Sequence, residues 1–420
     1  VKESNSFDSC ARIGPEAASL EVTGPSSLMT FLASIPAVHA AIAIVGWILL
    51  AAAAGHSVLS VVAVLAWIGV RAEAPRGPPT PVTVLQPLCG LEPRLYENLR
   101  SLCRQVHPQF QIVYGVREAN DPALAVVARL AAEFPSLKID VVVDPLLHGA
   151  NLKISNMINM IARARYDVLV MVDSDVWVDS DYLTHVTAPL QHADVGLVTC
   201  LYRDVPTMRV WSRLGAMYVN EWYMPSVMLA HLFGFRGYAS GQTLCIRRET
   251  LEAIGGLGAI VNYVADDYRL GQLVRALGQR IVLYPYRVNA EHDEPDAGSL
   301  IRHELRWMRT IHVLQPAGFR MLFITFTLPL AAIGLVMVSA SPPIPSIAWA
   351  LFWITAAARL FLHAWHRLGS IRGLLADWWL VPVRDLLLCC VWCSCFFASR
   401  LSWRGSRFSV DADGIMYRLP

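Results

Sequence analysis

From Pro36 to Val70 nearly every side chain is apolar, and only Gly55-His56-Ser57 interrupts the run. A helix crosses the hydrocarbon core of a bilayer with roughly 20 apolar residues, or a few more when it tilts. The run is therefore expected to form one transmembrane anchor over 36–70, which ties the rest of the chain to a membrane. A secretory leader has an apolar core of about 7 to 15 residues behind a basic start. This stretch is longer, and no Lys or Arg cluster precedes it. Arg71 and Arg76 follow at once, so the positive-inside rule places the downstream chain on the cytoplasmic side of an inner membrane. Residues 1–35 open on Ser, Glu, Pro and Gly without periodicity and are expected to form a disordered arm, with Met29 an alternative start.

At 420 residues, 55% of them apolar, the chain is too long for one simple domain and too apolar to be wholly soluble. Its 35 basic and 33 acidic residues nearly cancel, so no global field favours nucleic acid as a partner. The nine cysteines are odd in number, and Cys389, Cys390, Cys393 and Cys395 share one apolar stretch, which does not read as a secreted disulfide framework. That cluster could suggest metal, but small apolar filling accounts for it better.

After the Pro-rich linker Pro75 to Pro81 the text changes to short β-branched runs alternating with helical patterns. Strands are expected at Val82 to Leu85, Gln111 to Val116, Ile139 to Val143, Val168 to Val172, Val195 to Cys200, Thr243 to Ile246 and Ile281 to Tyr286. Helices are expected around Leu95 to Arg104, Ala123 to Phe134, Lys153 to Arg163 and Asp267 to Leu277. This alternation predicts an α/β domain over 80–316 with a mostly parallel sheet and crossover helices. Ligands of such sheets bind at the carboxyl ends of the strands, so motifs that follow strands matter most.

Four motifs qualify. Asp173-Ser174-Asp175 follows the buried-strand run Val168 to Val172, where two carboxylates two residues apart can share Mg²⁺ or Mn²⁺ with a diphosphate. It is equally a common turn pattern with solvated carboxylates. Asn120-Asp121-Pro122 is either a turn leading into a helix or a carboxylate placed for a uracil or ribose. Asp266-Asp267 stands ahead of an amphipathic helix, where one acid serves as cap or dipole partner. Two adjacent carboxylates raise each other's proton affinity, which suits a general base. His303-Glu304-Leu305-Arg306-Trp307 lies on an amphipathic helix leading to a membrane segment. There Arg306 could clamp a diphosphate and Trp307 floor an acceptor pocket, or both could be interfacial anchors.

Beyond residue 316, apolar segments recur at Met321 to Ala340, Ile344 to Trp365 and Trp378 to Phe397, giving membrane segments over 317–398 and a cytoplasmic tail over 399–420. The first two read as spanning helices with a Pro-containing turn between them. The third carries Arg384 and Asp385 and is flanked by His366, Arg367 and Arg372 on one side and by Arg400 and Arg404 on the other. With basic flanks at both ends, a re-entrant or interfacial hairpin is as good a reading as a crossing.

In this order, the four motifs resemble the Asp, Asp-x-Asp, Asp and Gln-x-x-Arg-Trp series of inverting family 2 and 21 glycosyltransferases. The chain is similar to ceramide glucosyltransferases and to the bacterial hopanoid-biosynthesis glycosyltransferases, from about Val82 through the tail. Leu85-Gln86-Pro87-Leu88-Cys89-Gly90, Asn151-Leu152-Lys153-Ile154-Ser155-Asn156, Ser240-Gly241-Gln242-Thr243 and Trp403-Arg404-Gly405 extend the likeness. The resemblance implies a GT-A catalytic domain, a UDP-sugar donor, a divalent metal (Mg²⁺ or Mn²⁺) and a membrane lipid acceptor. It implies that Asp121 contacts the base, that Asp173 contacts ribose and metal, and that Asp175 binds the metal. Lys153, Gly241 and His303 would lie at the donor, with Asp267 as catalytic base, Asp266 as its acidic neighbour, and Arg306 and Trp307 as the last signature.

Two departures are visible. His303 stands where the family has Gln or Arg, and Asp175 is kept where ceramide glucosyltransferases often lack the second Asp. That retention, with His303-Glu304-Leu305-Arg306-Trp307 and the Trp403-Arg404-Gly405 tail, tilts the reading toward the hopanoid branch, for which the resemblance implies transfer of N-acetylglucosamine to a bacteriohopane polyol. Glucose transfer to ceramide or another lipid is the alternative. A processive polysaccharide synthase would need a larger hydrophobic set for its channel, and a catalytically dead scaffold would have no use for both Asp173 and Asp175.

Overall fold

The computed structural model describes residues 36–71, 77–340, 342–367, 375–397, 401–403 and 406–419. The N-terminal arm with Met29, and Arg76, Arg372, Arg400 and Arg404, lie outside them. The eight strands of the central sheet are β1 (Val82–Pro87), β2 (Phe110–Val116), β3 (Lys138–Val143), β4 (Val168–Met171), β5 (Val176–Trp177), β6 (Val195–Asp204), β7 (Leu244–Arg247) and β8 (Arg280–Ala290), ordered β3-β2-β1-β4-β7-β6-β8-β5. Seven of them stand where the β-branched runs place them. The short strand β5, which pairs antiparallel with β8, is an addition.

The half from β3 to β4 is parallel throughout, with helices Leu95–Cys103, Ala123–Glu133 and Leu152–Ile161 among its connections. β7 then enters antiparallel to both β4 and β6, while β6 and β8 run parallel. This is a mixed α/β sheet of the GT-A type. Strand β1 is buried over Val82 to Gln86 without alternation, because both faces of the sheet are covered. Each such Val or Leu contributes about 1.5–3 kcal/mol by leaving water.

Helix Pro36–Gly69 forms over the expected apolar run, and it and Ser346–Arg367 are long and apolar enough to cross a membrane. Met321 to Ala340 is not one straight helix. A short helical stretch over Pro316–Thr325 meets helix Thr327–Ser339 at a 66° bend. Pro329 explains the break: its ring would collide with the carbonyl of Thr325 in a continuous helix, but it is tolerated in the first turn of a new one. Helix Leu380–Ser394 has 15 residues, about 22 Å at 1.5 Å per residue, short of the roughly 30 Å of a bilayer core.

Arg384 and Asp385 of that helix are buried in ion pairs. Arg384 grips Glu304 with both nitrogens of its fork, Nη2 to Oε2 at 2.7 Å. Arg359 donates to both oxygens of Asp385, at 2.7 Å from Nη2 and 2.9 Å from Nε. Arg359 also lies 3.6 Å from Glu221, whose other oxygen is 2.7 Å from His363 Nδ1. Glu221 sits in a π-helical turn, Tyr218–Tyr223, between helices Val210–Met217 and Met224–Leu232. Of the clustered cysteines, Cys395 is buried, Cys389 half-buried, and Cys390 and Cys393 exposed; all four are free thiols.

After the last helix, strands β9 (Leu401–Trp403), β10 (Ser406–Val410) and β11 (Met416–Arg418) form a small antiparallel sheet. Its tip returns to the catalytic-domain loop ahead of Asp266. Val264 N–H donates to the Gly414 carbonyl at 3.1 Å, and Met416 N–H donates to the Asn262 carbonyl at 2.8 Å.

Candidate functional site

Asp173 follows β4, Gly241 precedes β7, and Lys153 and Asp266-Asp267 open two helices; these five sequence-derived residues meet. Helix Leu152–Ile161 begins at Asn151, whose side-chain oxygen accepts from Ile154 N–H at 3.1 Å and so caps it. The same side chain donates to Asp266 Oδ1 at 3.2 Å and to the Tyr263 carbonyl at 3.1 Å, locking the two helix starts together. Lys153, in the first turn, places Nζ 2.5 Å from Asp173 Oδ1 and 4.0 Å from Asp266 Oδ2. Burial disfavours its charge, but Asp173 and Asp266 outweigh that and hold the ammonium above its ordinary range.

Gly241 sits at the centre. Its N–H donates to Asp267 Oδ2 at 3.0 Å, and a Cβ there would lie 3.2 Å from Lys153 Nζ and 3.6 Å from Asp173 Oδ2. The other oxygen of Asp267 accepts from Tyr268 N–H at 2.7 Å. Burial, and then the charge of Asp266, push the Asp267 carboxyl up to about 6. A carboxyl raised this far can take a proton near neutral pH.

Asp175 is coupled to a residue that the sequence did not single out. Its Oδ2 lies 3.2 Å from His292 Nε2, and His292 Nδ1 lies 3.1 Å from Asp204 Oδ2. Burial opposes a charged imidazole, yet Asp204 and Asp175 hold its pKa well above the usual histidine value, so the ring is cationic at neutral pH. Burial raises Asp175, and His292 more than reverses it, so this carboxyl is lowered. Asp173 is raised, chiefly by burial, with Lys153 opposing and Asp175 adding to it.

Asp175 Oδ1 is buried without a hydrogen-bond partner. Among the described residues no three His, Cys, Asp or Glu side chains are grouped as a closed metal site. An orphaned carboxylate oxygen beside a second carboxylate is the open donor set that a hard cation completes with substrate phosphates and water.

The last signature joins the site through His292. The His303 ring lies 4.1 Å from Trp307 and 5.3 Å from His292, and Trp307 also meets Tyr218 at 5.2 Å. His303 Nδ1 pairs with Glu294 at 2.7 Å. Burial, His292 and Arg306 hold His303 well below its ordinary pKa, so it is neutral, unlike its neighbour. Glu304 turns away from the site into the pair with Arg384, which ties this helix to helix Leu380–Ser394. Asp121 stands apart: its oxygens accept from Gly90 N–H at 3.0 and 3.1 Å and from Ala123 N–H at 2.9 Å, so it fastens the β1 and β2 loops together. Buried Tyr202 and half-buried Tyr223 and Tyr238 form a tyrosine cluster. The Asp267 charge bears on Tyr223 and Tyr238, whose hydroxyls are 2.5 Å apart.

A sheet of this order with carboxylates and a lysine gathered on its carboxyl edge defines a GT-A glycosyltransferase. Residues 44–416 match the model of Glycosyl transferase family 21, and the chain belongs to that family. It is 22% identical over 239 residues to ceramide glucosyltransferase 1 of Caenorhabditis elegans, covering 56% of this chain and 50% of that protein. It is 31% identical over 107 residues to the ceramide glucosyltransferase of Komagataella phaffii, covering 24% of this chain and 21% of that one. The chain spans about half the length, or less, of these curated relatives. Among solved structures, a mannosyltransferase from Pyrobaculum calidifontis in complex with GDP-Man and Mn²⁺ aligns with a TM-score of 0.48 at 19% identity, covering 85% of this chain and 99% of that one.

Proposed function

We propose that this chain is a membrane-bound inverting glycosyltransferase that moves a sugar from a nucleotide-sugar donor to a hydroxyl of a membrane lipid. The observation that carries the reading is Asp267: a carboxyl raised to about 6 and oriented by Gly241 N–H, beside the Lys153–Asp173 pair and the orphaned oxygen of Asp175. Asp267 takes the proton of the acceptor hydroxyl as that oxygen bonds to the anomeric carbon. The bond from that carbon to the diphosphate oxygen breaks, its electron pair leaves with the nucleotide diphosphate, and the product is the inverted β-glycoside.

Asp173 and Asp175 would hold a divalent cation, Mg²⁺ or Mn²⁺, which when bound supplies charge neutralisation for the diphosphate. Lys153 adds positive charge beside Asp173, Arg306 is assigned to the diphosphate, and His292 fixes the orientation of Asp175. Asp121 is assigned to the nucleotide base, and His303 and Trp307 to the donor and the acceptor floor. The catalytic domain is assigned to the cytoplasmic face of an inner membrane by Arg71 and Arg76, with further segments of the chain also in the bilayer.

The family match and the ceramide glucosyltransferase relatives favour glucose and a ceramide-type acceptor over the hopanoid reading. Asp175 is the observation on the side of N-acetylglucosamine and a bacteriohopane polyol. Full-length chain in detergent, offered UDP-glucose or UDP-N-acetylglucosamine with either acceptor, separates the two by the mass of the lipid product. Absence of both transfer and donor hydrolysis in a folded preparation would overturn the enzyme reading in favour of a scaffold. Asp175→Ala is expected to lower turnover by roughly 10²- to 10³-fold and abolish its dependence on added cation; unchanged activity in chelator would remove the metal role.

A further inference from the structure

Adjacent residues of a strand project to opposite faces of its sheet, and near the end of β6 this separates two environments. Tyr202 and Asp204 face His292. Leu201 belongs to an apolar cluster with Ala63 and Leu362 of the two helices of membrane-spanning length and Met228 of helix Met224–Leu232, and Arg203 projects from the same side as Leu201. There a cavity of about 470 Å³ opens, lined by Arg203, by Arg287 of β8, and by Trp67, Val70 and Trp365 at the ends of the two spanning helices.

The charge in this cavity is unbalanced. Arg203 Nε is buried without a hydrogen-bond partner. Arg287 lies over the Trp365 ring, 5.6 Å from its centre. Neither arginine pairs with a carboxylate among the described residues, and Asp179 is the one carboxylate on the wall. Burial, and then positive neighbours, push both guanidinium groups below their ordinary range: Arg367 acts on Arg203, and Arg203 acts on Arg287. Arg203, half-buried, and Arg287, at an exposed position, are like charges on paired strands with no carboxylate partner, so an anion placed between them is stabilised by both. Tryptophans at the ends of apolar helices mark the level of lipid headgroups, and basic pockets between such helices hold anionic ones. The guanidinium fork matches a phosphate through paired N–H donors.

We propose that this cavity binds the phosphodiester headgroup of an anionic phospholipid, with Arg203 and Arg287 as its ligands. The site is separate from the sugar-transfer site and uses none of its residues.

The test uses the full chain in neutral detergent, with thermal unfolding and native mass spectrometry read as phosphatidylglycerol or phosphatidylcholine is added. Phosphatidylglycerol should be retained and raise the Tm, while phosphatidylcholine should do neither. The double variant Arg203→Gln with Arg287→Gln should bind phosphatidylglycerol at least roughly tenfold more weakly, the loss expected for removing charged hydrogen bonds. Its Tm and turnover without added lipid should match the parent. If the double variant does not fold, Arg287→Gln alone, at an exposed position, should still weaken binding several-fold. Equal retention of the two lipids, or undiminished binding by the variants, overturns the proposal. Inorganic phosphate or glycerol 3-phosphate binding as tightly as the lipid overturns the assignment to a membrane.

Discussion

Two regions bury charge, and they do it in opposite ways. In the layer between the catalytic domain and the membrane helices, Glu221, Glu304 and Asp385 are matched by His363, Arg384 and Arg359, with forked contacts wherever an arginine meets its main partner. At the sheet edge four carboxylates, Asp173, Asp175, Asp266 and Asp267, share two cations, Lys153 and His292. The regions differ in charge balance and not in unpartnered atoms, since Asp175 Oδ1 here and Glu221 Oε2 there are both buried without a hydrogen-bond partner. A closed set of buried charges fixes where elements sit. An open set, short of positive charge, is suited to receive some.

The comparison breaks first at Asp267. Asp267→Asn should cost two to four orders of magnitude in turnover, roughly the range for losing a general base, with donor affinity and Tm near the parent's. Near-normal product formation would remove the base assignment. Next in size is the closed layer. Arg384→Ala leaves the Glu304 carboxylate buried and unpaired, and should destabilise by about 3–5 kcal/mol, seen as a lowered Tm. Arg384→Met combined with Glu304→Leu should recover most of that loss, whereas no double substitution at the sheet edge should recover activity.

A pH profile sharpens the contrast. The Asp267 carboxyl is raised to about 6, so the base is protonated below that pH and turnover should fall roughly tenfold per unit on the acid side. Asp266→Asn keeps an acceptor for Asn151 but removes the neighbouring charge, so the acid limb should move to lower pH. A limb that stays in place would show that Asp266 does not tune its neighbour. Smallest is Gly241→Ala, whose new methyl would meet the mobile end of Lys153. Turnover should drop by up to about tenfold, with little change in Tm, because the ammonium is displaced from Asp173.

The sheet edge was largely legible and the closed layer was not. Seven strands stand where β-branched runs predict them: burial on both faces leaves a continuous apolar signature in β1, β2, β4, β6 and β7, whereas edge strand β3, only partly buried, shows by its β-branched residues alone. β6 and β8 run on to Asp204 and Ala290, past their apolar runs, because cross-strand pairing carries them through Arg203 and Arg287. The reversed direction of β7 leaves no local trace, as direction is a property of the connection. Lys153, Asp173, Gly241, Asp266 and Asp267 lie together: position after a strand or at a helix start pointed to Asp173, Asp266 and Asp267, while only the family resemblance pointed to Lys153 and Gly241. His292 escaped notice because a single histidine in Glu291-His292-Asp293 has no spacing to mark it. Its pairing with Asp175 and Asp204 joins segments far apart in the chain. The partners of Arg384 and Asp385 likewise lie 80 and 26 residues away, so the sequence shows only charges in an apolar helix.

The small sheet at the end of the chain sets an order of assembly. Asn262 and Val264, just ahead of Asp266 and Asp267, receive backbone partners from Gly414 and Met416. Those partners emerge from the ribosome only after helices Thr327–Ser339, Ser346–Ala364 and Leu380–Ser394 have been synthesised. The loop that carries the acidic pair is thus fastened from two sides: Asn151 holds it from within the domain, and its second set of backbone partners becomes available only once the intervening helices have been made.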